Sequence, residues 1–501
     1  MNSVVQTIAP VGTPRGVMTE FEPVIGLEVH AQVLTKSKMF CGCSAEAFGA
    51  PPNTHVCPIC LGMPGALPVI NQAAVEATIL TALALNCSIP EFAKFDRKNY
   101  MYPDLMKGYQ ISQYDFPLSR DGWIEIESEG STKRIGIRRV HLEEDTAKLF
   151  HVPDNGGSSL IDVNRSGVPL MEIVSQPELH SAEDVKQYAT MLRQILRYIG
   201  VSSGDMEKGA LRIEPNISLR MRGASELSET RTEIKNLNSI SAMFHAVEYE
   251  IERQANILRA GGRVEQQTMG WDEARGVTVP QRSKEEAHDY RYFPEPDLPS
   301  LHVSREWVEE IRARLPELPS AKRARYQTEL GLSAYDTGVL TAERPVADYF
   351  ERAVEIGKPR GITPKAISNW LTSEIFARLE GGIDALKISP EQLVALIARV
   401  NEKRISSTQA KTVLIVMMES GRDADVIIAE KGLAQVSDRA PIEAAAQKVI
   451  DANVKEVQSY LSGKDGVLNF LVGQLMKETR GQANPAMARE VMVEKLKALS
   501  R

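Results

Sequence analysis

Four of the five cysteines fall into two close pairs, Cys41-Gly42-Cys43 and Cys57-Pro58-Ile59-Cys60, with thirteen residues between them. Two such pairs supply four thiolates at the tetrahedral angles zinc prefers, and a site closed by four protein ligands keeps no open position. The expected role of zinc here is therefore structural. Buried free cysteines would have no reason to pair in this way, and Cys87, which stands apart, reads as a core residue. So few cysteines in 501 residues do not make a disulfide framework. They fit a reducing compartment, which places the chain in the cytoplasm.

A second set is acidic. Glu28 and His30 sit in Val24-Ile25-Gly26-Leu27-Glu28-Val29-His30-Ala31-Gln32, where strand alternation puts both side chains on one face. His141-Leu142-Glu143-Glu144-Asp145 adds carboxylates, Glu172 lies within Pro169-Leu170-Met171-Glu172-Ile173-Val174, and Glu233 precedes Lys235-Asn236. Glutamates inside apolar strands are costly to bury unless they are paired or bind a cation. Several oxygen ligands with one imidazole suit Mg²⁺ beside a phosphate. Each glutamate taken singly reads as a surface residue; only convergence in space makes a site.

A third set is basic and aromatic. The run from Lys94 to Gln110 interleaves Arg97, Lys98 and Lys107 with Tyr100, Tyr102 and Tyr109, and Asp289-Tyr290-Arg291-Tyr292-Phe293-Pro294 has the same character. Cations among tyrosines serve phosphate neutralisation and base stacking, or pack on a sheet edge. No G-x-x-x-x-G-K-[ST], G-x-G-x-x-G or H-E-x-x-H run occurs, so a nucleotide would not sit in a P-loop. Gly156-Gly157-Ser158-Ser159 has the look of an amidase nucleophile, but its neighbours offer no obvious base, and it reads as a loop.

These residues need elements to position them. Residues 20–300 alternate short strands with turns and form the α+β part, a mixed or antiparallel sheet. Trp123–Glu127 and Arg134–Arg138 predict a hairpin around Glu129-Gly130-Ser131. Arg212–Arg220 predicts a strand whose Pro215 points to an edge or a bulge. A helix is expected from Ser181, with Asp184 completing a capping box, and another over 239–260. Past the proline-dense stretch Phe293–Pro299 the periodicity turns helical, and 301–501 is expected to be all-helical with a break near Gly432. This gives four segments: a flexible leader over 1–19, in which Met18 is an alternative start, a cradle over 20–300, a helical domain over 301–430 and a helical tail over 431–501. The tail holds 11 Lys/Arg and 8 Asp/Glu, a net +3, against −7 for the whole chain. A basic tail on an acidic body is compatible with phosphate contact or with a solvated face. No apolar run reaches the length of a membrane span, and the N-terminus lacks the basic start and apolar core of a secretory signal.

The blocks GLEVHAQ (26–32), CPICLGMPGALPVIN (57–71), KFDRKNYMYPDLMKGYQIS (94–112), HLEEDTAK (141–148), DVNRSGVPLMEIVS (162–175), EIKNLNS (233–239) and DYRYFPEPDL (289–298) occur in one order. With FLVGQLMKETRGQANP (470–485) near the end, they resemble the B-subunit family of bacterial-type aspartyl/glutamyl-tRNA amidotransferases. The resemblance runs from about residue 20 onward. It implies a cradle that uses ATP and Mg²⁺ to phosphorylate the side-chain carboxylate of Glu-tRNA(Gln) or Asp-tRNA(Asn). A glutaminase A-subunit would deliver ammonia, a small C-subunit would strap the heterotrimer together, and the tail would meet the tRNA. It further implies Mg²⁺ ligation by Glu28, His30 and Glu144, with Glu172 and Glu233 nearby, all five as catalytic candidates. Lys98, Lys148 and Arg165 are candidates for phosphate charge, and Tyr100, Tyr109, Asn216 and Asn236 for substrate contact. Two blocks depart from the family pattern: Met206-Glu207-Lys208-Gly209 where Met-Glu-Glu-Gly is expected, and Glu214-Pro215-Asn216 where Asp-x-Asn is expected. The readings from other classes are a non-catalytic zinc-containing RNA-binding protein and a self-sufficient ATP-dependent amide ligase.

Overall fold

The computed structural model describes residues 20–152, 158–224, 230–281, 290–433, 439–479, 483 and 485–499; the leader with Met18, Gly156-Gly157 and Asp289 lie outside them. Two compact units divide the chain, 1–319 and 320–501.

The first unit is built on one eight-stranded sheet. Its strands are β1 (Phe21–Gln32), β2 (Ser119–Ser128), β3 (Ser131–Glu144), β4 (Pro169–Ser175), β5 (Leu211–Met221), β6 (Thr232–Lys235), β7 (Gln267–Asp272) and β8 (Val277–Pro280). Their order across the sheet is β8-β7-β6-β5-β1-β4-β3-β2, and only the β6–β7 pair is parallel. Each strand alternates, as the sequence pattern requires. Leu27, Val29 and Ala31 of β1, Met171 and Ile173 of β4, and Ile213 and Ile217 of β5 are buried on one face. Helices α1 (Gln72–Ala84), α2 (Ala182–Tyr198) and α3 (Ile240–Arg259) add Val75, Ile79, Leu192, Leu196, Met243 and Val247 to the same core. Each such side chain removed from water stabilises the unit by about 1.5–3 kcal/mol.

The predicted hairpin is β2–β3, turned on Glu129 and Gly130, both with positive φ (52° and 77°), the geometry that matches strand twist. Between Ile137 and Arg139 the β3–β4 register slips by one residue, a β-bulge. Pro215 is neither at an edge nor at a bulge. β5 lies inside the sheet with an unbroken register against β1, and its ladder to β6 involves only Asn216 and Ile217, so the missing N–H of Pro215 interrupts nothing. Ser181 caps α2 by accepting from the Asp184 N–H (3.0 Å), while the Asp184 carboxylate accepts from the His180 N–H (3.0 Å) rather than from Ser181. Ser239 caps α3 in the same way. A small sheet of Asp96–Asn99, Tyr109–Ser112 and Phe293–Pro294 completes the unit. The helix Arg305–Arg312 also belongs here, with Trp307, Val308 and Ile311 in the sheet's core, although its sequence lies past the proline-dense stretch.

The second unit is helical, with two separate cores. One gathers Tyr326, Phe350, Leu371, Leu393, Leu414 and Ile427; the other gathers Ile442, Val449, Leu471, Leu475, Val491 and Leu496. Among the described residues, no helix is long and apolar enough to cross a membrane.

Candidate active site

The sheet face opposite the core carries a cavity of about 730 Å³. It crosses six strands, from Arg139 on β3 to Thr268 on β7. At about 4.8 Å per strand, five spacings span about 24 Å, long enough for an extended ligand. Alternation delivers the lining: Glu28 and His30 from β1, Arg139, His141 and Glu143 from β3, and Glu172 from β4. β5 contributes Arg212, Glu214 and Asn216, and β6 contributes Glu233 and Lys235. Lys98, Tyr100, Gln110, Tyr290 and Tyr292 form a second wall.

Cross-strand pairing brings the acids together. His30 stands opposite Glu172, Glu28 opposite Glu214, and Asn216 opposite Glu233. Two groups result, His30 with Glu143 and Glu172, and Glu28 with Glu214 and Glu233; in each, the candidate ligand atoms lie within 4.8 Å of one another. The Glu172 carboxylate is 3.6 Å from His30 Nε2 and 3.3 Å from His141 Nε2. Burial opposes its charge, yet the two imidazoles hold it well below the usual carboxylate range. Burial likewise opposes the charge on His30, but Glu172 prevails and pushes its pKa up to about 9. Glu28 shifts opposite to Glu172: burial and the neighbouring Glu172, Glu233 and Glu214 raise it. Lys235 bridges Glu214 (2.8 Å) and Glu233 (3.3 Å), and Arg212 pairs with Asp145 (3.1 Å). Carboxylate oxygens with one imidazole suit a hard divalent cation, and the repulsion that raises Glu28 is what a cation would relieve. The buried Nδ1 atoms of His30 and His141 have no hydrogen-bond partner among the described residues.

Glu28, His30, Glu172, Glu233, Lys98, Tyr100 and Asn216 all line this cavity. Glu144 does not, and its expected convergence with Glu28 and His30 is absent. Its carboxylate pairs with Lys107 (2.7 Å) and accepts from the Ile111 N–H (3.0 Å) on the other face. The bulge is the cause. Ile135 and Ile137 face the core, and unbroken alternation would put Glu143 with them and Glu144 in the cavity. The slip instead sends Val140 and Leu142 to the core and turns Arg139, His141 and Glu143 into the cavity.

Four other candidates lie elsewhere. Tyr109 is on the far side of its strand, with the Arg97 guanidinium 4.2 Å from its ring. Asn236 is exposed just past β6. Lys148 sits on a two-stranded ribbon over Phe150, and Arg165 donates to the Thr146 and Ala147 carbonyls (both 2.9 Å), behind the wall that Asp145 and Thr146 form. Sequence reasoning counted Glu143 and Asp145 only among the carboxylates of 141–145, and gave no individual role to them or to Glu214, Arg212, Lys235, His141 or Arg139. The R-x-E-x-N alternation of 212–216 was the available signal for Glu214, which keeps a carboxylate where the family pattern departs; Glu207 of the other departing block is exposed. Ser159 does have a base beside it, His151 Nδ1 at 2.8 Å, but both are exposed on the ribbon.

The cysteines form a separate centre. All four Sγ atoms lie within 4.8 Å of one another, and none is in a disulfide. Tight turns make this possible: Lys38 N–H donates to Cys43 O (2.9 Å), and Leu61 N–H to Cys57 O (3.0 Å). Gly62 (φ 64°) follows directly, where a Cβ would come within 2.8 Å of Lys107 Cγ. The hydrogen bond from Cys41 holds the Cys60 thiol down at about 4, while burial pushes Cys43 up to about 11. Four thiols this close repel one another once ionised, and a divalent cation would let all four ionise.

Residues 23–309 match the family described as the GatB/GatE catalytic domain, and residues 348–496 match the GatB domain. The sheet-bearing unit is thus of the catalytic-domain class. The chain is 51% identical over 488 residues to the aspartyl/glutamyl-tRNA(Asn/Gln) amidotransferase B-subunit of Carboxydothermus hydrogenoformans, covering 96% of this chain and 100% of that one. To the protein of the same name from Thermomicrobium roseum it is 52% identical over 481 residues, 95% and 99% of the two chains. The chain belongs to the aspartyl/glutamyl-tRNA amidotransferase B-subunit family.

Proposed function

We propose that this chain is the part of a tRNA-dependent amidotransferase that activates and amidates the acidic side chain of Glu-tRNA(Gln), Asp-tRNA(Asn) or both. The observation that carries the reading is the pair of acid groups lying side by side between cations on an open sheet face. His30, Glu143 and Glu172, and Glu28, Glu214 and Glu233, would each hold Mg²⁺, which supplies charge neutralisation on the transferring phosphoryl group. A carboxylate oxygen of the substrate attacks the γ-phosphorus of ATP, and ADP leaves. Ammonia then attacks the acyl carbon of the resulting acyl phosphate, inorganic phosphate leaves, and the nitrogen sheds a proton. Lys98, over the Tyr290 ring at 4.9 Å, offsets oxyanion charge at the cavity wall, and Tyr100 and Asn216 contact substrate. Ammonia comes from a glutaminase A-subunit, held in place with a small C-subunit.

Zinc, held by Cys41, Cys43, Cys57 and Cys60, shapes the knuckle and takes no part in the chemistry. The tail over 431–501 adds affinity for tRNA. The test is ATP hydrolysis by the assembled complex. It is expected to require both Mg²⁺ and mischarged tRNA, with amide formed in step. tRNA binding without either requirement would instead support the non-catalytic reading.

A further inference from the structure

Arg139 differs from two other half-buried cations of the cavity, and shares with Lys98, which lies over the Tyr290 ring, the lack of an ion pair among the described residues. Arg212 is tied to Asp145, and Lys235 to Glu214 and Glu233. The Arg139 side chain makes no hydrogen bond or ion pair among the described residues, and its Nε is buried without a partner. Among the described residues its charge has no fixed partner: His141, two residues along the same face, carries like charge when protonated, and Tyr292 is a neutral phenol. A half-buried guanidinium without a fixed partner keeps its N–H donors available to an anion that enters the cavity.

The backbone has been arranged to produce this. Without the slip between Ile137 and Arg139, the side chain of Arg139 would follow Ile135 and Ile137 into the apolar core. The bulge aims it into the cavity instead, beside the group of His30, Glu143 and Glu172, with the fork geometry that matches carboxylate or phosphate.

We propose that Arg139 is a substrate-positioning residue whose guanidinium takes an oxyanion that enters the cavity with a substrate. This rests on the function proposed above, under which the oxyanion is either a phosphate of the nucleotide or the side-chain carboxylate of the aminoacyl ester. A planar fork holds either one in two-point contact, which a lysine ammonium cannot do.

The experiment uses the assembled complex carrying Arg139→Met or Arg139→Lys. Three quantities are measured against wild type: Kd for ATP, KM for the mischarged tRNA, and the melting temperature without ligand. Losing a charge-assisted hydrogen bond weakens binding by about tenfold to a hundredfold. Such a loss in Kd for ATP with Arg139→Met assigns the oxyanion to the nucleotide. The same loss confined to KM for aminoacylated tRNA assigns it to the substrate carboxylate. In either case Arg139→Lys recovers less than half of the loss on a logarithmic scale. The unliganded melting temperature stays level, since no hydrogen bond or ion pair of the side chain is lost, whereas a purely structural arginine would lower it. Binding constants within twofold of wild type for both substrates overturn the proposal. If Arg139→Met does not fold, Arg139→Lys decides by the same two constants. A wild-type complex that binds ATP but forms no amide would count against the proposed function, while the Kd comparison still judges Arg139.

Discussion

The cysteine centre and the acidic cavity are built from the same unit in opposite ways. The first draws its four sulfurs from a segment of twenty residues, Cys41 to Cys60, and two local turns suffice to bring them within 4.8 Å. The second draws its groups from five strands between Glu28 and Glu233, and none of its distances exists until the sheet order is set. A local site is specified by spacing; a sheet-borne site is specified by register, and a slip of one residue exchanges its members for their neighbours.

The largest expected effect lies in the cavity. Glu172 stands at the centre of the imidazole–carboxylate network, within 3.6 Å of both histidines. Glu172→Gln keeps the volume and removes the charge, and ATP-dependent amidation by the complex is expected to fall about a hundredfold or more. Glutamine hydrolysis by the glutaminase partner is expected to persist. A loss under threefold would remove Glu172 from the chemistry. A smaller effect is expected from deleting 431–501, which holds one complete helical core. KM for tRNA should rise about tenfold and the salt dependence of binding should flatten, with ATP affinity unchanged. An unaltered KM would deny the tail its role.

The smallest effect on chemistry is expected at the knuckle. Metal analysis should give about one zinc per chain, and Cys57→Ser should abolish it. The melting temperature is expected to fall by about 5 °C, the shift for losing about 2 kcal/mol, while kcat stays within a few-fold. Retention of zinc after the substitution would refute the four-thiolate assignment, and loss of activity at full stability would refute its structural role.

What was legible in the sequence divides along the same line. The cysteine set, the helix cap at Ser181, the helix over 239–260 and the β2–β3 hairpin are written in local spacing, and all were readable. Glu28, His30, Glu172 and Glu233 were readable as acids and an imidazole set in apolar strands, because alternation within one strand is also local. The bulge was not. Ile137-Arg138-Arg139-Val140 shows no glycine or proline to mark it, and the slip is decided by how β3 meets β4 and by Ser119, whose hydroxyl bonds both backbone groups of Val140 (3.1 Å each). Tyr109 failed for the same reason: Lys98 faces Gln110 in the small sheet, so the cavity takes those two and leaves Tyr109 behind.

At the centre of the site stands the bulge, which turns Glu143, and not Glu144, into the cavity. Glu143→Gln and Glu144→Gln are equal in volume and charge and adjacent in sequence, so one comparison of ATP-dependent amidation by the assembled complex decides between them. Glu143 lies beside His30 and His141 (3.9 and 3.8 Å), and its substitution is expected to cut the activation step about a hundredfold. Glu144 bonds Lys107 and the Ile111 amide, contacts a glutamine amide oxygen can partly keep, so its substitution should lower stability modestly and leave the rate within about threefold. The reverse order, with Glu144→Gln inactive and Glu143→Gln active, would contradict both the register and the site built on it.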